Sequence, residues 1–181
     1  MTFDYTRSML FGISATDSGS RTLIAIDPSS GIATEVGEFA GTMFCIAADE
    51  NGVGYGITYD GSLYSIDFDT AAATFIGSTG LSLSYVQDIC YDFNTGDLYW
   101  AQLLDATGHN FYRVDKTSGS VVALGDIGPS GSEIVGMFMV PDVEPGAGED
   151  IAVTGISINP TEVEIRVGDT AQFTSIVTPF N

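Results

Sequence analysis

The chain has 181 residues, of which 44% are hydrophobic, so it is long enough for one domain with a core and part of another. It carries 24 acidic residues against five lysines and arginines, and the net charge of −19 makes nucleic acid and anionic membranes poor partners. No apolar run is long enough to enter and cross a membrane, and residues 1–7 lack the pattern of a signal peptide.

A short pattern occurs three times, and each copy predicts two strands joined by a turn. In every copy an aspartate follows an alternating apolar run and lies ten residues before a glycine: Asp27 and Gly37, Asp67 and Gly77, Asp115 and Gly125. The alternation is typical of a strand, and the aspartate starts a turn by accepting a backbone N–H two residues on. Gly31 and Gly119 suit the left-handed residue of such a turn. Ala71 replaces them in the second copy, so that turn must differ or be strained.

A second pair of strands lies upstream of each hairpin and surrounds a polar turn. These turns begin at equivalent aspartates: Asp4, Asp49 and Asp92. One repeat is therefore four short antiparallel strands, and the copies begin 40 and 48 residues apart. That is the unit of a β-propeller blade. The sequence predicts an all-β fold with blades over residues 8–41, 42–80 and 83–131, inside a propeller region of residues 1–141.

The two ends of this region predict how a ring closes. Residues 1–7 enter part-way through a repeat, and residues 134–140 match an opening strand that no blade follows. We expect the spare strand to close the ring by completing the first blade. Three blades are fewer than propellers usually have. The chain is therefore a fragment of a longer protein, one of two copies that complete a six-bladed ring, or an incomplete arc stabilised in another way.

Cys45 and Cys90 lie in the same strand of successive repeats. Equivalent positions in different blades are too far apart for a disulfide, so we expect buried free thiols. A nucleophilic cysteine is not expected, because the only histidine, His109, lies in a long turn that has no equivalent in the other repeats.

Candidate ligand-binding residues are those that break the repeat. Asp88 is an acid in an otherwise apolar strand and is a candidate for the lining of a central channel. Trp100 replaces a glycine of the other copies beside the expanded loop of His109. With Tyr85 and Tyr112 these two are our candidates for a carbohydrate or peptide contact. The alternative is that Trp100 fills space opened by the longer loop.

No catalytic residues are predicted, because the paired carboxylates recur at turns of the repeat, where a structural role explains them. No cofactor is predicted either. Calcium is the one metal that the acidic composition favours, since hard cations prefer clustered oxygen ligands. The chain has no calcium-loop motif, and a solubilising surface explains the same composition.

Residues 142–150 are rich in proline, glycine and acid and predict a linker. After it, residues 151–181 contain Val153-Thr154-Gly155-Ile156, Asn159-Pro160, Val167-Gly168-Asp169-Thr170 and Thr178-Pro179. This stretch resembles the beginning of a bacterial immunoglobulin-like group 2 domain. The resemblance covers about half of such a domain, and three strands cannot form a two-sheet sandwich. We expect the tail to be disordered, packed on the propeller or paired with another chain.

The blade region is similar to bacterial propeller repeats of the L-Y-x-I-D-x-x-T-G type, through Asp115-Lys116-Thr117-Ser118-Gly119 and Asp27-Pro28-Ser29-Ser30-Gly31. Those repeats occur in surface and quinoprotein-like families, and their motif is structural. Together the resemblances imply a non-enzymatic adhesion or binding module at the bacterial cell surface, whose partner is a glycan or a protein. The alternatives are a fragment of a propeller enzyme acting on glycans and a purely structural, self-associating module.

Overall fold

The structure, a computed structural model, describes residues 1–16, 19–84, 87–105, 108–128, 134–139, 153–159 and 174–179, with the backbone alone for 104–105, 108–109, 153–159 and 174–179. The chain divides into two compact units, Met1–Gly146 and Ala147–Asn181. All regular structure in these ranges is β-strand. Within these ranges no helix has the length and apolar character needed to traverse a bilayer.

The first unit contains three sheets of four antiparallel strands, and we call each sheet a blade. The first blade consists of β1 (Thr2–Asp4), β2 (Met9–Ala15), β3 (Arg21–Ile26) and β4 (Ala33–Glu38). The second consists of β5 (Met43–Ala48), β6 (Gly54–Thr58), β7 (Ser62–Ile66) and β8 (Ala73–Ser78). The third consists of β9 (Asp88–Tyr91), β10 (Leu98–Asp105), β11 (Gly108–Val114) and β12 (Val121–Asp126). Strands pair in chain order within every blade, which confirms the predicted four-stranded repeat.

The repeated aspartates start the turns between the third and fourth strands, as the sequence predicts. The Asp27, Asp67 and Asp115 carboxylates each accept the backbone N–H two residues on at 2.8 Å. Ala71 adopts a left-handed conformation with φ 60°, and its N–H donates to the Asp67 carbonyl at 2.9 Å. Gly119 makes the equivalent bond to Asp115 at 2.8 Å. The second turn is therefore the same as the third, and the alanine carries the strain.

The closing glycines allow neighbouring blades to approach closely. Each lies at a β-bulge on the fourth strand, where Gly37, Gly77 and Gly125 pair with Leu23, Leu63 and Phe111. A Cβ placed on Gly37 would lie 3.2 Å from the Cβ of Ala71 in the next blade. On Gly77 it would lie 2.8 Å from the Ser118 carbonyl carbon. We call this contact, between a closing glycine and the next blade's aspartate turn, the blade joint.

Two apolar clusters fill the space between the blades. One joins the first and second blades around Phe11, Leu23 and Ile66; the other joins the second and third around Leu63 and Trp100. Cys45 and Cys90 are buried and free, as predicted. Burial holds the pKa of both thiols above the usual range, that of Cys90 at about 12. Because each cluster draws on two blades, a blade depends on its neighbour to cover its apolar face.

The three residues of β1 pair with Met9–Phe11 and form the end of an opening strand, before Asp4 starts the turn. Two details differ from the sequence prediction. Residues 134–139, within the predicted closing strand 134–140, belong to no sheet and do not join the first blade. His109 lies in β11 opposite Leu103 rather than in a long turn, because the extra residues of this repeat lengthen β10 and β11 into a longer hairpin.

The second unit contains an antiparallel pair of strands, β13 (Val153–Asn159) and β14 (Thr174–Pro179). Ile156 pairs with Val177, and Ile158 pairs with Ser175. The first of these strands coincides with the predicted strand around Ile156 and Ile158. The predicted strand at residues 163–167 and the hairpin at residues 168–169 lie outside the described residues, so the immunoglobulin-like assignment stays a prediction.

Candidate functional site

The first strands of the blades border a cleft of about 320 Å³. Within this row β5 lies between β1 and β9. Phe3 and Leu10 of the first blade line the cleft on one side, and Ile89 and Cys90 of the third blade line it on the other. Met137, Phe138 and Met139 complete the lining. The cleft is therefore mainly apolar, and it can accept an apolar side chain rather than a strongly polar group.

Aromatic rings link the first and third blades at one side of this cleft. Tyr5 contacts Phe3 and Phe93 edge to face, with ring centroids 4.8 and 5.2 Å apart. Phe93 contacts Tyr91 in the same way at 5.2 Å. Edge-to-face pairs of this kind are favourable and have defined geometry. They hold this side of the cleft in one shape.

Asp88 lies beside the cleft, close to Met137, and is 7% exposed. Its carboxylate accepts N–H groups from Ile89 at 3.0 Å and from Met137 at 2.9 Å. Burial raises the pKa of Asp88, and the N–H of Met137 opposes that rise. Both of its oxygens therefore hold main chain in place, and residues 134–139 are anchored against the third blade through this side chain.

Polar contacts connect the turns of neighbouring blades. Arg7 of the first blade donates to the second-blade Asp69 at 3.0 and 2.8 Å, and to the Gly52 carbonyl at 3.0 Å. It also pairs with the fully buried Asp4 at 2.5 Å. Hydrogen bonds from the Arg7 guanidinium to Asp69 and Asp4 raise its pKa above the usual range. The carboxylate acceptors therefore keep this cation fixed between two blades.

A second contact of this kind joins the second and third blades. The Tyr91 hydroxyl donates to Glu50, and the Lys116 ammonium group donates to the Tyr91 hydroxyl at 3.3 Å. The hydrogen bond from Tyr91 holds the pKa of Glu50 below its usual range, and desolvation raises the pKa of Tyr91. Lys116 also lies 4.9 Å from the Tyr91 ring centroid, as a cation–π pair. These groups stabilise the blade arrangement.

Two of the predicted ligand-binding residues, Trp100 and Tyr112, lie in the core between blades. Trp100 has no exposed surface, and its indole N–H donates to the Gln87 side chain at 3.0 Å. Tyr112 packs against it in the core with ring centroids 5.8 Å apart. Tyr85 and the side chain of His109 lie outside the described residues. Trp100 and Tyr112 thus lie together between blades, where neither offers a surface to a ligand.

Gln87 is a structural residue that the sequence analysis did not identify. It is 3% exposed, and its amide N–H groups donate to the carbonyls of Ser84 at 2.8 Å and Leu103 at 3.0 Å. Gln87 is a polar residue in an otherwise apolar strand, and Trp100 stands where the other copies have a glycine; these two departures from the repeat are the sequence signal that could have indicated the pair. The buried amide satisfies the indole and fixes the ring.

No described part of the chain contains a group of acids, cysteines or histidine close enough together to hold a metal ion. The carboxylates of the turns accept hydrogen bonds within their own turns. Asp49, for example, accepts the backbone N–H groups of Asn51 and Val53 at 2.9 Å each. Calcium therefore stays a prediction without a location among the described residues.

No protein-family model matches the chain, and no curated protein matches its sequence. Among solved structures, the nidogen/laminin complex is similar over 71% of this chain and 48% of the matched chain, with a TM-score of 0.56 and 14% identity. A protein of unknown function from Bacteroides thetaiotaomicron is similar over 67% of this chain and 32% of its own, with a TM-score of 0.52 and 17% identity. The chain thus spans between a third and a half of these proteins.

These similar structures are β-propellers, so the fold of the first unit is that of propeller blades. Identities this low indicate the fold alone. They carry no information on the ligand of this chain, which has to be argued from the cleft and the surface.

Proposed function

We propose that this protein is a non-enzymatic binding module of a bacterial surface protein. The blades present the binding site, and the immunoglobulin-like part acts as a spacer. The observation that carries the proposal is the apolar cleft of about 320 Å³ bordered by β1 and β9. The polar groups nearest to it, Asp88 and the Tyr91–Glu50 pair, make hydrogen bonds that stabilise the fold. A site of this composition favours binding over acid–base chemistry.

A protein segment is a better partner for this cleft than a glycan. The rings predicted to contact a glycan, Trp100 and Tyr112, are both buried away from the cleft, and the mainly apolar lining offers few hydrogen-bonding groups for the hydroxyls of a sugar. Met137 and Met139 offer flexible apolar side chains instead, which adapt to varied apolar partners. The net charge of −19 attracts basic groups around an apolar anchor. Protein binding by a propeller has a precedent in the nidogen/laminin complex, although the similarity concerns the fold.

Short labelled peptides with central leucines flanked by lysines test this proposal. Fluorescence anisotropy should detect binding of the lysine peptide, weakening as salt rises, and no binding of the same peptide with glutamates. Met139→Ser should weaken binding because Met139 lines the cleft and is 36% exposed. Tyr59→Ser is the control, because Tyr59 is 54% exposed and outside the cleft.

Equal binding of both peptides, or equal effects of the two substitutions, would contradict the proposal. The enzyme alternative requires a separate measurement. The wild type and Asp88→Asn are assayed for hydrolysis of a panel of soluble glycans. Turnover by the wild type that is lost in Asp88→Asn would show that the function is catalysis rather than binding.

A further inference from the structure

The two blade joints inside the chain use the same positions, and the third blade leaves those positions uncovered. Val36 and Ile76, the residues before the first two closing glycines, are partly buried against the inter-blade clusters. Their equivalent Leu124 is 51% exposed. Leu124 thus occupies a joint position that no described part of the chain covers.

The aromatic positions of the blade face show the same difference. Phe11 is 2% exposed under the second blade, and Tyr55 is 9% exposed under the third. Their equivalent Tyr99 is only partly buried and stacks on Phe111 with ring centroids 5.3 Å apart. The face of the third blade therefore offers an apolar and aromatic surface of the kind that the first two blades bury.

Both halves of a further joint are open. In the two existing joints the closing glycine contacts a turn residue of the next blade, Ala71 or Gly119. A Cβ on Gly125, the third closing glycine, would meet nothing within 4 Å. A Cβ on Gly31, the equivalent turn residue of the first blade, would also meet nothing within 4 Å. The third blade thus has an open closing glycine, Gly125, and the first blade has the open turn residue, Gly31, that could contact it.

The first blade also carries the complementary apolar face. Ile66 and Val114, which cover the preceding blade, are each 2% exposed. Their equivalent Ile26 is only partly buried, as is Ile24 on the same face. Among the described residues, the first and third blades therefore present two different faces that match each other as the internal faces do.

We propose that a second copy of this chain covers the third blade with its first blade. The contact is formed twice, once in each direction, so that two chains close into one ring around a twofold axis. The argument is the continuity of the joint: both new contacts repeat the geometry of the two joints already present. Packing of identical units through repeated interfaces is the way in which repeat proteins cover their apolar faces.

Residues 134–139 fit this arrangement. They lie beside β9, where the Met137 N–H donates to Asp88 at 2.9 Å. In the repeat, Asp142 is equivalent to Asp4, so residues 134–139 correspond to the inner-strand positions that precede β1. β1 pairs only with Met9–Phe11, which leaves Gly12–Ala15 of β2 without a partner on that side among the described strands. In the assembly, residues 134–139 keep this place beside β9, where they line the cleft with Phe3 and Leu10 of their own copy.

Charge opposes the association, and this gives it a characteristic salt dependence. Each chain carries a net charge of −19, so two copies repel at low ionic strength. The contact surfaces themselves are apolar. Raising sodium chloride from about 20 mM to about 500 mM should therefore strengthen the association, because salt screens the repulsion and leaves the apolar contact.

Sedimentation equilibrium of the full chain tests the proposal with two matched substitutions on β12. Leu124→Asp places a charge at the joint. Val122→Asp places the same charge two residues away, where Val122 is 53% exposed and its equivalents Thr34 and Thr74 are exposed in the other blades. We expect the wild type and Val122→Asp to sediment at twice the chain mass, and Leu124→Asp at the chain mass.

A third variant tests the opposite side of the joint. Gly31 has a left-handed conformation, which asparagine tolerates, so Gly31→Asn should leave the turn intact. The asparagine side chain is larger than the methyl group of Ala71, the largest side chain at this position in the existing joints, and should block the contact. It should also sediment at the chain mass, with an unchanged circular dichroism spectrum. A wild type that sediments at the chain mass at every concentration and salt would overturn the proposal. Equal masses of Leu124→Asp and Val122→Asp would overturn it too, because another surface would then join the copies.

Discussion

Substitution of Gly77 by alanine should destabilise the chain because the third blade occupies the space of the added methyl group. The new Cβ would lie 2.8 Å from the Ser118 carbonyl carbon and closer still to its oxygen. The obstacle is backbone, so the turn itself has to move, and overpacking of this kind costs about 1–3 kcal/mol. Alanine recovers about 0.5–1 kcal/mol relative to glycine within a strand. We expect a net loss of about 1 kcal/mol in the free energy of unfolding.

Gly37→Ala should cost less, because its Cβ would lie 3.1 Å from the Thr70 carbonyl oxygen and needs a shift of only a few tenths of an ångström. Gly41→Ala is the control, since its Cβ would meet nothing closer than a Thr58 methyl group at 4.0 Å. Urea unfolding at one protein concentration, followed by the fluorescence of Trp100, measures all three. Trp100 is the only tryptophan and lies in the cluster between the second and third blades. Equal midpoints for Gly77→Ala and Gly41→Ala would refute the blade joint.

Three further predictions concern charged and titratable groups. Arg7→Met leaves the fully buried Asp4 without its cation and should cost about 1–3 kcal/mol in urea unfolding; an unchanged midpoint would show that the contact is unimportant. Burial raises the pKa of Asp88 in the folded chain. The protonated side chain therefore contributes to the free energy of unfolding in acid, and this contribution is lost as the pH rises through the raised pKa. Asp88→Asn loses one of the two accepting oxygens at every pH but does not titrate, so its stability relative to the wild type should improve as the pH rises from acid to neutral; a difference that does not change with pH would exclude titration as its cause. Cys45 and Cys90 are buried thiols with raised pKa values, so iodoacetamide should label them only in denaturant; rapid labelling of the folded chain would contradict their burial.

The repeat made the blades predictable from sequence. Asp27, Asp67 and Asp115 act within their own turns, and a local interaction of this kind leaves a local signal. The glycines Gly37 and Gly77 were recognised as recurrent, but their role depends on a turn about 40 residues away in the next blade. That contact exists only once the blades are stacked, so spacing along the chain could not supply it.

The candidate site was less predictable because exposure is a property of the packed blades. Trp100 breaks the repeat, and that signal cannot distinguish a surface contact from a residue that fills the core. The structure buries it against Gln87 and Tyr112. Asp88 was predicted as a candidate for the lining of a central channel, whereas a buried acid in an apolar strand requires hydrogen-bond partners. Those partners, the main-chain N–H groups of Ile89 and Met137, become identifiable only in three dimensions.

A disulfide across the first joint tests the stacking of the blades most directly. A Cβ on Gly37 would lie 3.2 Å from that of Ala71, a little closer than the roughly 3.5–4.5 Å of a disulfide. In Gly37→Cys/Ala71→Cys, mild oxidation should join the two blades, and mass spectrometry after proteolysis should find the corresponding peptides linked. Gly41→Cys/Ala71→Cys should stay unlinked. Two free thiols at positions 37 and 71 in the oxidised, folded chain would contradict the arrangement of blades on which the whole account depends.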